Sequence, residues 1–379
     1  MNLTGLFKGR PVRPDDEFRR IIVIVTRQIG DVLLTTPLIH AAKQRWPAAQ
    51  IDVLGFAGTL GMLKGNADVS SLIEVRPDSG WSSSLPLIAR LWRRYDLALI
   101  AQHTDRAHLY GWFAAGARSG QVPENRRSRW KTALLGHAVP LGVKHTHVVI
   151  EKMRLLSPWL PQLPEPGVQP PAAAPLPAEL VTRLGPLYTV MQVPSLVHYK
   201  QWPVRHYAKL VREWAAAQGH PVVLTGGPSS RDRAIVAEVM ALCGDAAIDA
   251  AGQLDLNQLV TLLSGASLYI GPDTSITHLA AACGTPVVAL FGPTNPRLWG
   301  PWPVGWPVEQ PYERSGMRQH RRNVVLLQGD QSCVPCSREG CDRHRDSRSE
   351  CLETMTPERV MAEAATLLIG SGESAIKPP

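Results

Sequence analysis

The chain lacks the features that would place it outside ordinary globular proteins. None of the apolar runs in its 379 residues approaches the roughly 20 residues that a membrane-spanning helix needs. The first 20 residues have no apolar core and no small-residue cleavage site, so no signal peptide is predicted and a cytoplasmic location is expected. Six cysteines are too few for a disulfide scaffold in a chain of this length. A GxGxxG fingerprint is also missing, because Gln28 stands where its first glycine belongs, and this argues against dinucleotide oxidoreduction.

What the chain contains is a globular composition with an excess of positive charge. Hydrophobic residues make up 44% and charged residues 19% of the sequence, which supplies enough apolar surface for a core. At this length two domains are expected. The formal net charge of +8 and the eleven tryptophans indicate an acidic partner, which would be nucleic acid, anionic lipid or a phosphorylated substrate.

Short apolar runs alternate with helical patterns along both halves of the chain. Residues 21–26 (IIVIVT) are apolar and β-branched, as in a parallel strand that is buried on both faces. Repeated alternation of this kind predicts the α/β class, with doubly wound, Rossmann-like parallel sheets. The remaining predicted strands are 51–56, 72–75, 97–101, 188–193, 221–225, 267–270 and 287–291.

A change of composition separates the two halves. Residues 157–177 hold eight prolines, which predicts a stiff extended linker. We therefore expect a cleft between two domains, and ligands of such sheets bind outside the carboxyl ends of the strands. The predicted segments are an N-terminal arm 1–20, an N-terminal domain 21–156, a linker 157–186, a C-terminal domain 187–370 with a Cys-rich insertion 333–351, and a tail 371–379.

Residues 271–294 (GPDTSITHLAAACGTPVVALFGPT) carry the strongest anion-binding signal. A strand end, a tight turn and a helix follow one another, and Asp273, Thr274 and Ser275 occupy the N-cap and first-turn positions. The unpaired N–H groups and the positive dipole end of such a helix suit a phosphate. A well-capped helix without a ligand explains the same residues, and only other polar stretches in the chain favour the functional interpretation.

Three further stretches place useful residues at predicted strand ends. Asp31 follows the first strand, where its carboxylate would accept a proton from an attacking hydroxyl or would simply cap the helix. Lys200, in the sequence PSLVHYKQWP, would neutralise a phosphate or remain a solvated loop lysine. Gly226 and Gly227 follow another strand and let a ligand approach the backbone, although any such turn can contain glycine.

Cysteines and basic residues cluster at two other places. Four cysteines within residues 333–351 have a spacing that fits structural zinc or iron, and reduced thiols in a loop are the alternative. These are Cys333, Cys336, Cys341 and Cys351. A dense basic run in the N-terminal half is expected to bind anionic groups or to form a solvated loop, and residues 92–95 and 314–322 would extend its face. Its cations are Arg126, Arg127, Arg129 and Lys131.

Four motifs together resemble glycosyltransferase family 9, the ADP-heptose:lipopolysaccharide heptosyltransferases. They are GDVLLTTPL at 30–38, PSLVHYKQWP at 194–203, VLTGGP at 223–228 and GPDTSITHLAAACGTPVVALFGPTNP at 271–296. The resemblance extends over about residues 20–365 and implies the GT-B fold, with two Rossmann-like domains facing a central cleft. It also implies an inverting transferase that moves heptose from ADP-heptose to the lipopolysaccharide inner core.

The resemblance implies roles for particular residues. Asp31 corresponds to the family's general base, and Ser195 and Lys200 to its phosphate-binding loop. The carboxylate that holds the donor ribose in many members has no counterpart in the turn GGPSSRDR, where Asp232 is a weak substitute. Base and donor site would lie in different domains, so domain closure would bring them together. The predicted donor-binding residues are Ser195, Lys200, Gly226, Gly227, Asp273, Thr274, Ser275, Ile276 and His278.

The resemblance also implies partners and a location. The expected partners are an ADP-sugar donor, a lipid A–core acceptor bound by the basic run, and the anionic inner-membrane surface, with no nucleic acid; the protein would be cytoplasmic and peripheral at that membrane. The absence of an Asp-x-Asp motif agrees with transfer without a catalytic metal. Zinc or iron at the cysteines would be structural, and in autotransporter heptosyltransferases similar clusters resemble an iron finger. Alternatives are a family 9 transferase with another donor or a protein acceptor, a GT-B nucleotide-sugar epimerase, and a nucleic-acid-binding protein.

Overall fold

The computed structural model describes residues 9–77, 81–141 and 145–372. Residues 1–8 of the predicted arm and 373–379 of the predicted tail lie outside the described residues. The chain divides into two compact units: the first runs from the N-terminus to Pro171 and includes Gly305–Glu309, and the second contains Ala172–Val304 and the chain from Gln310. Within the described ranges, no helix is long and apolar enough to cross a bilayer.

The first unit is built on a six-stranded parallel sheet. Its strand order is β3-β2-β1-β4-β5-β6, the order of dinucleotide-binding domains, with the switch point between β1 and β4. The strands are β1 Arg20–Val25, β2 Gln50–Phe56, β3 Ser71–Val75, β4 Tyr95–Ile100, β5 Ala115–Val122 and β6 His137–Pro140. The helices are α1 Ile29–Leu33, α2 Thr36–Arg45, α3 Trp81–Leu91, α4 Asp105–Ala114, α5 Arg129–Leu134 and α6 Val148–Met153. Because Ile21, Ile22, Val23 and Ile24 are all fully buried, β1 is covered on both faces.

The second unit repeats this plan and adds an antiparallel edge strand. Its sheet has the order β12-β13-β11-β10-β7-β8-β9, so the six parallel strands follow the same pattern, with the switch point between β7 and β10. The strands are β7 Thr189–Gln192, β8 Val222–Thr225, β9 Ala247–Asp249, β10 Leu268–Pro272, β11 Val287–Phe291, β12 Arg318–Arg321 and β13 Val324–Gln328. The helices are α7 Ala178–Leu184, α8 Val204–Gln218, α9 Ser230–Cys243, α10 Leu256–Gly265, α11 Ser275–Ala282, α12 Pro296–Trp299, α13 Glu350–Glu353 and α14 Pro357–Gly372.

The helix predicted after β1 is divided into two. α1 ends at Leu33 and α2 begins at Thr36. Two consecutive threonines are followed by Pro37, whose ring has no N–H to donate and disfavours a helical conformation in the residue before it. The break allows the Thr35 hydroxyl to donate to the Asp31 carbonyl oxygen at 2.6 Å.

Five strands were not predicted: β5, β6, β9, β12 and β13. Among them β13 is a buried apolar run, VVLLQ, that sequence reasoning overlooked, and the other four are short or rich in small and polar residues. β5 has the sequence AGARSGQV, which shows no alternation and has Val122 as its single β-branched residue, yet it is buried because strands pair with it on both sides. β9 has only three residues. β12 was predicted only as part of a basic run, and its pairing with β13 is antiparallel.

Two segments that were expected to be irregular are ordered. α7 occupies seven residues of the range predicted as linker, and the prolines stop just before it. The described part of the N-terminal arm packs on the first unit, where Phe18 is buried and lies edge-on to Trp46 and Trp159 with ring centroids 5.0 and 5.5 Å apart. Apolar anchors within a polar segment therefore hold it in place.

Candidate active site

Asp31 is a buried carboxylate beyond the carboxyl end of β1, at the switch point of the first sheet. It is the third residue of α1, and its side chain is 10% exposed. The N-cap of this helix is Gln28, which makes no side-chain cap, so the alternative that Asp31 caps the helix is wrong. Arg27 Nε lies 3.5 Å from Asp31 Oδ2, and Lys152 Nζ lies 4.0 Å from Oδ1.

Two polar residues beyond β4 lie at the same edge of the sheet. Gln102 is buried and accepts a hydrogen bond at 3.1 Å from Thr26, which follows β1. Burial and the charges of Arg27 and Lys131 lower the pKa of His103, against an opposing contribution from Asp31. His103 is therefore neutral at pH 7, when one ring nitrogen can donate a hydrogen bond and the other can accept one.

The cations predicted to bind the acceptor have two different settings. Arg126, Arg127 and Arg129 are exposed just beyond β5, at the carboxyl edge of the sheet that also holds Asp31. Lys131 is buried: its ammonium lies 2.7 Å from Asp105 Oδ1 and also donates to the His103 carbonyl oxygen. Lys131 thus supports the loop after β4 and does not share the exposed surface of the three arginines.

The basic run just before β4 does not extend this surface. Residues 92–94 immediately precede β4, whereas the arginines at 126–129 follow β5. In a parallel sheet the strands start at one edge and end at the other, so these two runs lie at opposite edges. The expectation that residues 92–95 extend the basic face is therefore wrong. Residues 314–322 belong to the second unit, where β12 is the edge strand.

Lys200 and Asp273 form an ion pair at the carboxyl edge of the second sheet. Lys200 Nζ lies 2.6 Å from Asp273 Oδ2, and the two side chains are 26% and 7% exposed. Burial alone raises the pKa of Asp273, but the charge and hydrogen bond of Lys200, with help from Thr294 and His278, hold it below its ordinary value. Asp273 is thus ionised at neutral pH and directs the lysine ammonium toward the start of α11.

The first turn of α11 is available to an anion. Its N-cap is Thr274, which has an extended backbone and makes no side-chain cap. Thr277 instead bonds to the Pro272 carbonyl oxygen at 2.5 Å and to the Tyr269 hydroxyl at 2.9 Å. That hydroxyl explains Gly271, because a Cβ there would lie 2.3 Å from it. Bonds to β10 therefore hold the start of the helix, and no side chain of its first turn caps its N–H groups.

The loop after β7 carries the hydroxyl of Ser195, and α11 follows the neighbouring strand β10. Ser195 is buried, and its Oγ has no hydrogen-bond partner within the part of the chain that the structure describes. The loop backbone is fixed from two sides: Gln201 Oε1 accepts from the Ser195 N–H at 2.9 Å, and Arg231 donates to the Ser195 carbonyl oxygen at 2.9 Å. A buried hydroxyl on a rigid loop is a group that a bound ligand can satisfy.

The Cys-rich insertion supports the same loop. The His198 N–H donates to the Arg345 carbonyl oxygen at 3.1 Å, and the buried Ser349 hydroxyl donates to the Tyr199 carbonyl oxygen at 2.6 Å. On the other side of the insertion, the Ser337 N–H donates to Pro293 beyond β11. The insertion therefore contacts two loops at the carboxyl edge of the second sheet.

The four cysteines of the insertion were predicted to bind a structural metal. Among the described residues, no group of three or more His, Cys, Asp or Glu side chains is arranged to hold a metal ion. Cys333 and Cys341 are exposed while Cys351 is buried, and all are free thiols. Burial, and then the three neighbouring thiols, raise the pKa of Cys351 to about 12. The structure does not support the predicted structural zinc or iron.

The glycines after β8 are explained by packing. A Cβ on Gly226 would lie 3.0 Å from Pro194, and one on Gly227 would lie 2.5 Å from Asp232 Oδ2. Asp232 sits in the first turn of α9, where its N–H donates to the Ser229 hydroxyl at 3.0 Å. Its carboxylate therefore lies against the turn in which the expected acidic residue is missing.

Comparison with known proteins agrees with this architecture. The model of glycosyltransferase family 9 (heptosyltransferase) matches residues 85–308, more than half of the chain. The chain belongs to glycosyltransferase family 9. It is 30% identical to lipopolysaccharide heptosyltransferase 3 of Escherichia coli over 286 residues, which cover 72% of this chain and 83% of that protein. It is 26% identical to lipopolysaccharide heptosyltransferase 2 of Salmonella typhimurium over 93% of this chain and 99% of that protein.

A solved structure of the family has the same fold. The E. coli ADP-heptose lipopolysaccharide heptosyltransferase II superimposes with a TM-score of 0.70 at 21% identity, over 93% of this chain and 99% of that one. The predicted GT-B class, with its two Rossmann-like domains, is thereby confirmed, and the protein is a family 9 glycosyltransferase.

Sequence reasoning missed the residues that support this family 9 site. Lys152, Gln201 and Arg231 each fix a predicted site residue or its loop. A signal existed only for Lys152, which stands in the sequence VVIEKM among apolar residues at helical spacing. Gln201 lies within the motif PSLVHYKQWP and bonds to Ser195 of the same loop, but no role was assigned to it. Arg231 bonds to the backbone of a loop 36 residues away, which no local pattern indicates.

Proposed function

We propose that this enzyme transfers heptose from ADP-heptose to a hydroxyl of the lipopolysaccharide inner core. Membership of the heptosyltransferase family carries the proposal, together with the names of relatives matched over most of their length. The donor follows from the name of the solved relative, which is an ADP-heptose enzyme.

The second unit supplies what the nucleotide diphosphate needs. Lys200 offers a cation beside the start of α11, and in the proposal the first-turn N–H groups from Ser275 to Thr277 donate to the same diphosphate. Ser195 Oγ adds a hydrogen-bond donor. In this proposal Asp273 contributes by orienting Lys200, since a buried carboxylate by itself would repel a phosphate. His278 and Thr294 lie close to Asp273 and complete this half of the site.

The first unit supplies the base. The Asp31 carboxylate takes the proton of the acceptor hydroxyl while that oxygen attacks the anomeric carbon. The bond from this carbon to the diphosphate oxygen breaks, so ADP leaves and the configuration inverts. Lys200 and the α11 N–H groups stabilise the negative charge that develops on the departing ADP. These cationic and N–H groups replace the divalent ion that many other sugar-nucleotide enzymes use.

The three exposed arginines beyond β5 are the proposed contact for anionic groups of the acceptor. We infer that Arg126, Arg127 and Arg129 bind core phosphates or the anionic inner-membrane surface, because all three are exposed at the carboxyl edge that holds Asp31. Arginine binds phosphate through two parallel hydrogen bonds. The adjacent Trp130 is 38% exposed and gives this surface an apolar element that suits a membrane interface.

The proposal is tested by transfer to heptose-deficient core with ADP-heptose, and with ADP-glucose in parallel. Mass spectrometry should show one added heptose, and the amount transferred should be the same in the presence of EDTA. Asp31→Asn should lower the rate by about 10²–10⁴-fold, the usual contribution of a general base, without weakening ADP binding. Asp68→Asn, which removes a carboxylate paired with His40 in the same unit, should leave the rate near wild type. Addition of glucose, or full activity in Asp31→Asn, would overturn the donor or the base respectively.

A further inference from the structure

Lys152 carries its charge to a place where water does not reach. It lies on α6 among Val148, Val149 and Met153, which are all buried, and its own side chain is 2% exposed. A lysine usually keeps its ammonium group in water even where its carbons are covered. Burial of such a charge costs several kcal/mol that only well-placed partners can offset.

The partners of Lys152 belong to the segment that carries Asp31. Nζ lies 2.5 Å from the Asp31 carbonyl oxygen and 2.7 Å from Thr35 Oγ1. The Thr35 hydroxyl donates to the same carbonyl oxygen at 2.6 Å, so two donors converge on one backbone atom. The Asp31 carboxylate faces the same ammonium, with Oδ1 at 4.0 Å from Nζ.

Packing alone does not explain a lysine at this position. A methionine fills a similar volume without the cost of a buried charge. α1 has only five residues and no side-chain cap, so it needs support from outside, and the lysine provides it at the residue that carries the carboxylate. The charge is useful only where it meets another charge, and Asp31 is the acidic group that faces it.

We propose that Lys152 is a positioning residue for the base, which fixes the backbone of Asp31 and holds a positive charge beside its carboxylate. This inference rests on the proposed role of Asp31. The other charged or titratable groups around the pair are Arg27, His103 and, beyond His103, Lys131. Arg27 is 41% exposed and is screened by water, whereas Lys152 is buried, so the lysine has the stronger effect at similar distance.

The ammonium carries its charge at the pH at which the enzyme would work. Burial lowers the pKa of Lys152 to about 8, against the opposing effect of Asp31. Below that pH the lysine is protonated and can stabilise a carboxylate. In this proposal the buried cation of Lys152 acts on Asp31 and does not contact the substrate.

Lys152→Met is the direct test in the transfer assay. The acidic limb of the rate profile should move to higher pH by about one unit or more, the effect expected when an opposite charge at this distance is removed. The rate should therefore fall about tenfold at low pH and recover as the pH rises, while the KM for ADP-heptose stays unchanged. A purely structural lysine would lower the rate equally at every pH.

Two further variants separate charge from folding. Thr35→Val removes the hydroxyl between the lysine and the carbonyl oxygen, and it should shift the profile in the same direction by a smaller amount. Lys43→Met removes another lysine of the same unit, which bonds to the Ala49 carbonyl oxygen, and it should leave the profile unchanged. Circular dichroism and thermal unfolding would confirm that each variant is folded.

Carbon-13 NMR of labelled aspartate provides a reading that needs no substrate. Asp31→Asn identifies the Asp31 carboxyl signal, whose titration midpoint should rise in Lys152→Met. A midpoint that stays in place, in a folded variant, would refute the inference even if the enzyme transfers heptose. A midpoint that rises in a protein without heptose transfer would refute the proposed function and leave the support of Asp31 by Lys152 intact.

Discussion

Lys152 and Lys200 each place an ammonium group against a buried aspartate, but in different ways. Lys200 makes a direct ion pair with Asp273 at 2.6 Å and stays partly exposed, so an incoming phosphate can still reach it. Lys152 is fully enclosed, bonds to a carbonyl oxygen and a hydroxyl, and keeps 4.0 Å from the carboxylate of Asp31. The first arrangement leaves a cation for a ligand, and the second leaves a carboxylate free to accept a proton.

The buried lysine makes stability depend on pH. Below pH 8 Lys152 is protonated in both the folded and the unfolded state, and its buried charge destabilises the folded state. Between about 8 and 10.5 only the unfolded state holds it, so the free energy of unfolding should rise with pH. At about 1.4 kcal/mol per pH unit the gain across this window is roughly 3 kcal/mol.

Denaturant unfolding from pH 7 to 10.5 measures this effect as a difference between the wild type and Lys152→Met. The subtraction removes other groups, such as Tyr188, whose pKa burial raises to about 12 and whose ionisation in the unfolded state lowers stability above pH 10. Parallel curves for the two proteins would show that Lys152 is not a neutral lysine above pH 8.

Short elements carry the site, and longer elements position them. The five-residue α1 holds Asp31, and a single 3₁₀ turn, His198–Lys200, holds the donor lysine. Neither is long enough to be stable by itself. α6 supports the first, and the Cys-rich insertion supports the second through Ser349. The insertion therefore has a structural role at the Lys200 loop.

Ser349→Ala tests that role. Loss of the hydroxyl leaves the Tyr199 carbonyl oxygen without its buried donor and loosens the Lys200 loop, so ADP should bind about 2–10-fold more weakly, the equivalent of one hydrogen bond. Isothermal titration calorimetry with ADP measures the change. Thr261→Val removes a hydroxyl–carbonyl bond of the same 2.6 Å length elsewhere in the unit and should not alter ADP affinity. Equal affinities in all three proteins would contradict the support by the insertion.

The whole molecule has a net charge of +8, and part of it is concentrated where the acceptor is proposed to bind. Arg126, Arg127 and Arg129 are close together in sequence and all exposed. Charges of this kind act over a Debye length, which is about 10 Å at 0.1 M salt and about 3 Å at 1 M. Attraction to an anionic surface should therefore be strong at low salt and weak at high salt.

Vesicle flotation tests this expectation. The protein should float with phosphatidylglycerol vesicles at low salt and remain below at 1 M, while phosphatidylcholine vesicles should not bind it at either salt. Replacement of the three arginines by glutamine should weaken binding by about 1 kcal/mol for each charge removed. A control with the same net charge replaces Arg183, Arg233 and Arg338, which are exposed in the second unit, and it should bind like the wild type. Equal weakening in both variants would indicate an effect of net charge alone.

The sequence by itself determined the fold class, the order of the main elements and the family. Apolar β-branched runs such as 21–26 bury both faces only when helices cover the sheet on both sides. Residues 271–296 show the family's motif because a strand, a turn and a helix follow one another within this short stretch. Local chemistry of this kind is legible in a linear chain. It also indicated Asp31 and Lys200 as candidate site residues, in the loops and first turns beyond β1 and β7.

Only the tertiary structure decided which groups surround those residues. β5 is a strand because neighbours on both sides satisfy its backbone, not because AGARSGQV prefers one. Lys152 meets Asp31 across 121 residues of sequence, and the four cysteines adopt different burial in spite of their compact spacing. Strand pairing, contacts between charged groups and the burial of a side chain depend on segments that are far apart in the sequence. They are therefore set only when the chain has folded.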